Sequence, residues 1–244
     1  MSTIWFLYDF SAYAFGIYSS YIINSITGSG GVDERGLPKQ DTPLFSVFAW
    51  NALILILNLP GSLLGAFGSD WLGCQNALCL GVMLQALVGF LMAFFFSTLK
   101  QNVAAFTAVY GLFLSLGEFG PGDNCGLLAA KSCATAIRGR YYGIASAVGK
   151  IGAFVGSWAF PLIVRRFEGR GKGGDAGMQA PFYIASGLCI ISGLLAVFGM
   201  RRMGQDVVEE EDVRFRKYLE EKGYDLANFG IKKEGGKSES GRGV

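Results

Sequence analysis

Histidine is absent from the 244 residues, and charged residues make up only 16%, against about 25% in an ordinary soluble domain. The missing imidazole excludes Ser-His-Asp triads, Cys-His dyads, His-ligated metals and imidazole proton shuttles. The five cysteines are an odd number without CxxC spacing, so they read as small packing residues and not as a disulfide framework or metal site. The net charge of +2 is too small to suggest a nucleic-acid partner. No motif calls for a cofactor or a metal.

The scarce charge is unevenly placed. Of 21 basic and 19 acidic residues, the 44 residues of 201–244 hold ten of each. The chain therefore divides into an apolar body, 1–200, and a polar tail, 201–244. A bilayer core needs about 20 apolar residues of helix, and the body supplies six such runs, at 3–26, 43–67, 75–97, 102–129, 141–164 and 180–200. None has the period-2 alternation of a barrel strand, so backbone satisfaction in lipid demands helices. The expected fold is an all-α membrane protein with six transmembrane helices. The first run has no basic leader region and contains Asp9, so it reads as a span and not as a signal peptide.

Six spans place both ends on one side. Counting Lys and Arg does not choose the side: Lys131, Arg138 and Arg140 argue one way, while Arg165, Arg166, Arg170 and Lys172, with Arg35, Lys39 and Lys100, argue the other. In the tail, acids precede bases, with Glu210–Arg214 and Asp212–Arg216 at i,i+4. That order suits a short charged helix over about 207–222, ended by Gly223. Beyond Lys232 the composition is that of a disordered segment.

Charges inside spans are costly and mark function. The body places four well inside: Asp9, Glu118, Asp123 and Lys150. Trp5, Asp9 and Tyr13 stand at i, i+4 and i+8, one stripe of a helix, which Gly16 and Ser20 continue. An acid between two aromatics in a desolvated site is the kind of group that trades protons near neutral pH. Lys150 lies mid-span, where small residues at 145, 149, 152 and 156 let a neighbouring helix approach closely. A lone ammonium there needs a partner, either Asp9 or an anionic substrate. In the fourth span, Gly120-Pro121-Gly122 should break or kink the helix between Glu118 and Asp123. The alternative is that the span ends there and its acids face water.

Gly61, Gly65 and Gly68 form a further close-packing face, followed by the short turn Ser69-Asp70-Trp71-Leu72-Gly73. This turn resembles the Gly-x3-Asp-Arg-x-Gly loop motif of the major facilitator superfamily. Asp70 and Gly73 match, whereas Ala66, Trp71 and Cys74-Gln75 depart from it. Two other stretches resemble the superfamily's phosphate:proton symporters. Trp5-Phe-Leu-Tyr-Asp9-Phe-Ser-Ala-Tyr13 is similar to their seventh span. Lys131-Ser-Cys-Ala-Thr-Ala-Ile-Arg138-Gly-Arg140-Tyr-Tyr-Gly143 is similar to the loop after their tenth, and Lys150 falls where the eleventh carries a substrate lysine. Gly120-Pro-Gly-Asp-Asn124-Cys-Gly-Leu-Leu-Ala-Ala-Lys131 and the tail from Glu210 to Asp225 look most like the fungal glycerophosphoinositol permease branch. The resemblance runs to about Gly230 and covers spans seven to twelve only.

It implies one half of a major facilitator fold, with its N-terminal six-span half missing. It also implies a lipid bilayer, the plasma membrane, cytoplasmic termini, and a basic loop after span five that gathers anions outside. The expected partners are protons and a small anionic solute: an organic phosphate such as glycerophosphoinositol, or inorganic phosphate. By resemblance Trp5 and Tyr13 hydrogen-bond the substrate, Lys150 holds the anion and Asp9 is the proton-coupled acid. Asp123 and Asn124 join the expected substrate set, and Glu118 is expected as a second proton-coupling acid. Asp70, Gly73, Arg138 and Arg140 form the loop motifs. Where the symporters place Asn after Gly-Pro, this chain has Gly122, which should alter or enlarge the pocket. Alternative readings are a truncated six-span protein with a binding or regulatory role, or a transporter of inositol or a carboxylate. An intramembrane enzyme is disfavoured, because no nucleophile stands beside a base.

Overall fold

The computed structural model describes residues 1–27, 44–168, 175–200 and 206–224. The expected loop cations Arg35, Lys39, Arg170 and Lys172, the tail cations Arg201 and Arg202, and the stretch beyond Lys232 lie outside them. The described residues form helices and no strand. In order these are α1 (Ser2–Thr27), α2 (Leu44–Leu72), α3 (Cys74–Phe94), the single turn α4 (Phe96–Leu99), α5 (Val103–Gly117), α6 (Asp123–Lys131), α7 (Arg138–Phe167), α8 (Ala176–Gly199) and α9 (Val207–Glu221). A π turn, Glu118–Gly122, joins α5 to α6. Five of the resulting long helices are long and apolar enough to cross a membrane by length and composition. The exception is α1, which at 26 residues is long enough. Its Asp9, serines, tyrosines and Asn24 lower its hydropathy, and several of them serve the site described below.

Proline 121 does not break the fourth span. The helix widens through the π turn and continues into α6. An extra residue in the turn absorbs the missing N–H and the ring clash that proline brings to an α-helix.

Helix pairing follows the small residues. α1 packs along α7, α3 along α8 and α2 along α5. A Cβ on Gly152 or Gly156 of α7 would strike the backbone of Phe6 or Phe10 of α1. A Cβ on Gly61 of α2 would strike Ser115 of α5, and one on Gly65 would strike Asp123 and Phe119. This is the close approach that small residues permit in membrane bundles. At one end of the bundle, Phe15 is ringed by Tyr110, Phe113, Phe160 and Phe182 at centroid distances of 4.9–6.2 Å. The buried Tyr110 hydroxyl donates to the Phe15 carbonyl at 3.0 Å, so α5 holds α1 by a hydrogen bond as well as by ring packing. Large apolar side chains such as Phe45, Phe67, Phe154 and Phe198 point outward, as lipid-facing positions require.

The turns are specified locally. Gly73, at φ +83°, supplies the left-handed residue between α2 and α3. Asn102 caps α5, its Oδ1 accepting from the amides of Ala104 and Ala105 at 3.1 and 3.2 Å. Asn102→Ala should cost about 1 kcal/mol, read as a lower unfolding temperature of the purified chain. Asp175 accepts from Lys100 at 2.6 Å and Ser97 at 3.0 Å, fastening the start of α8 to the α4–α5 connection.

The expected ion pairs of α9 do not form. Arg214 pairs with Glu211 at 2.7 Å, and Asp212 turns to the α6–α7 connection. There it accepts from the Thr135 amide at 2.6 Å and the Thr135 hydroxyl at 2.7 Å. Two unsatisfied donors at the start of the Thr135–Ile137 turn attract the carboxylate more strongly than one exposed guanidinium does. Gly223, at φ +76°, follows the end of α9.

Candidate functional site

The stripe expected on α1 forms the floor of an open cleft of about 460 Å³. Trp5, Asp9 and Tyr13 line it from α1, Lys150 from α7, and Glu118 and Gly122 from the π turn. Gly149 and Gly152 bring α7 onto α1, which sets Lys150 over the stripe. A Cβ on Gly149 would lie 2.7 Å from the Trp5 ring and 3.1 Å from Asp9 Oδ2. Lys150 Nζ donates to Asp9 Oδ2 at 3.2 Å and to the Tyr13 hydroxyl at 2.5 Å, and lies 4.3 Å from the Tyr13 ring centroid.

Burial divides this pair. Asp9 is 2% exposed, while the Lys150 side chain is 54% exposed to the cleft. The carboxylate is fixed and desolvated, and the ammonium keeps its outer face free. Such an ammonium can hold Asp9 and still receive an anion. Trp5 is positioned in turn by an edge contact with Tyr142, the ring centroids being 5.4 Å apart.

Glu118 reaches the cleft from the other side of α1. Tyr8 donates to Glu118 Oε1 at 3.4 Å, and both line the cleft. Tyr8 was not anticipated from the sequence. The available signal was the stripe next to the one read: Tyr8, Ala12 and Gly16 also line the cleft, at i, i+4 and i+8.

Asp123 and Asn124 are placed elsewhere, on the side of the π turn that faces α2. Ser62 donates to Asp123 Oδ1 at 3.1 Å. Asn124 is fully buried; it accepts from Ser69 at 2.7 Å and donates to the Gly120 carbonyl at 2.8 Å. Asn124 thus ties a carbonyl of the π turn to α2, a structural task that the widened turn creates. The loop-motif residues also lie away from the cleft. Asp70 is exposed on the last turn of α2, and Arg138 donates to the Thr135 hydroxyl at 3.0 Å beside Asp212. All five thiols are free.

Comparison with known proteins follows the same lines. The profile of a family described as sugar (and other) transporter matches residues 3–212. A glycerophosphodiester transporter of Candida albicans is 46% identical over 94% of this chain and 41% of its own length. A major glycerophosphoinositol permease of the same organism is 44% identical over 97% of this chain and 41% of its own. An Arabidopsis thaliana protein named as an inorganic phosphate transporter is 26% identical over 86% of this chain and 40% of its own. The chain thus spans about two fifths of the length of these relatives, all named for transport. With its apolar helices it is an integral membrane protein, and it belongs to the sugar (and other) transporter family of the major facilitator superfamily.

Proposed function

We propose that the chain is the C-terminal half of a proton-coupled transporter for a glycerophosphodiester anion. A second six-helix half would close the cleft, and transport would need both. In this reading the termini and α9 face the cytoplasm and the bundle lies in the plasma membrane. The observation that carries this reading is the Lys150–Asp9–Tyr13 cluster facing an open cleft. The substrate class is taken from the names of the two relatives in Candida albicans, 46% and 44% identical to this chain.

Coupling follows from competition for one ammonium. While Asp9 is ionised it shares Lys150 with any bound anion. When a proton neutralises Asp9, the attraction at 3.2 Å is lost and Lys150 is free to bind phosphate fully. Proton and anion then favour each other's binding, as reciprocal linkage requires. Asp9 suffices for this step; among the described residues Glu118 pairs with no cation, and it is not needed for the step. Tyr13 and Trp5 orient the phosphate oxygens.

Asp9→Asn keeps the shape and removes the ionisable group. With a complementary half supplied, the variant should still exchange labelled for unlabelled substrate across a vesicle membrane, but should lose accumulation against a gradient. Retained proton-driven accumulation would remove Asp9 from the coupling step.

A further inference from the structure

The cleft has two chemically different sides, built by adjacent stripes of α1. Trp5, Asp9 and Tyr13 lead to Lys150, the cationic side. Tyr8 stands about 100° round the helix and leads to Glu118, the acidic side. Among the described residues the ion pairs are Lys100–Asp175, Lys150–Asp9 and Arg214–Glu211, so no cation neutralises Glu118. A carboxylate repels a phosphate group and accepts hydrogen bonds from hydroxyls.

Gly122 adds an independent observation. Its backbone is ordinary right-handed helix, φ −54° and ψ −57°, which any residue adopts, and glycine is a poor helix former. Local conformation therefore does not call for glycine here. The placement of its neighbours bears on it instead: a Cβ at Gly122 would strike Glu118 Oε2 and lie 2.9 Å from the Tyr8 hydroxyl, the ends of two flexible side chains that would have to turn aside. The glycine keeps the carboxylate and the phenol open to the cleft. The volume agrees, since about 460 Å³ lies in the range of sites for ligands much larger than a bare phosphate.

We infer that Glu118, with Tyr8 and the space left by Gly122, is the subsite for the hydroxyl groups of the substrate's alcohol portion, a polyol esterified to the phosphate that Lys150 holds. This rests on the anion site proposed above and names what lies beside it. Specificity for a polyol phosphodiester over a simple phosphate then comes from a carboxylate that rejects phosphate and accepts hydroxyls.

The test is equilibrium binding to the 244-residue chain paired in lipid nanodiscs with the N-terminal half of the 46%-identical Candida albicans relative, with labelled glycerophosphoinositol and with dimethyl phosphate, a phosphodiester without hydroxyls. Removing a negative charge raises the affinity of both anions, so the quantity read is the ratio of their affinities. Glu118→Gln should lower that ratio roughly tenfold. Gly122→Ala, which keeps the carboxylate but crowds it, should lower the ratio in the same direction. A ratio unchanged by Glu118→Gln, with binding that still depends on Lys150, overturns this inference and leaves the anion site standing. Binding of neither probe by the unaltered pair of halves overturns both.

Discussion

Lys150→Ala is expected to weaken anion binding and uptake by roughly 10- to 100-fold, the worth of one or two hydrogen bonds to a charged group. Lys150 is the cation among the described residues that line the cleft, and none of the others there can replace it. The substitution has a second consequence. It strands Asp9, 2% exposed, without its counter-ion, and an uncompensated buried charge destabilises the fold. The two effects separate in the double variant Asp9→Asn with Lys150→Ala. Thermal unfolding should recover in the double variant, because no charge is left buried and alone. Anion binding should stay low, because the ammonium is still missing. If binding recovers together with stability, Lys150 serves the fold and not the ligand.

Gly156→Val should have the largest effect on stability, about 3 kcal/mol, the upper end of the range for overpacking. The new side chain would meet the carbonyl and Cα of Phe10. These are backbone atoms of a helix and cannot turn aside as a flexible side chain would. α1 and α7 must separate, and that is the contact that sets Asp9 against Lys150. The variant should unfold at lower temperature and lose anion binding together. Gly187→Ala is the control: nothing lies within 4 Å of a Cβ there, so the change should be neutral or slightly stabilising. Thermal unfolding of the two variants in the same lipid nanodiscs makes the comparison.

The helical, membrane-spanning fold was legible because its signal is compositional. Long apolar runs and a charge-poor body permit few structures in lipid. The pairing of Asp9 with Lys150 was legible only as a choice between partners, since spacing puts residues on a face but does not say which helix meets it. The small residues at 149, 152 and 156 carried half of that information: they marked the face of α7 that approaches another helix without naming α1. The Gly120-Pro121-Gly122 segment was readable only as a break, a kink or the end of a span, and the helix instead widens through a π turn and continues. Proline between two glycines has the same sequence signature whether the helix unwinds or widens, and the difference lies in tertiary contacts, such as the Ser69–Asn124 bond to α2. For the same reason Asp123 and Asn124 were expected at the substrate, whereas the turn directs them to α2. Asp212 was expected to pair along its own helix and instead caps Thr135, a donor 77 positions away. No local pattern encodes that contact.

The central claim is that these helices form one half of a proton-driven transporter whose anion site is centred on Lys150. Uptake of labelled glycerophosphoinositol into proteoliposomes under an inward proton gradient tests it most directly. The chain is reconstituted alone and together with the N-terminal six-helix half of the 46%-identical Candida albicans relative. Accumulation is expected only when both halves are present, abolished by a protonophore and lowered roughly 10- to 100-fold by Lys150→Ala. Accumulation by the chain alone, or accumulation by the pair that survives both the protonophore and Lys150→Ala, would contradict the claim.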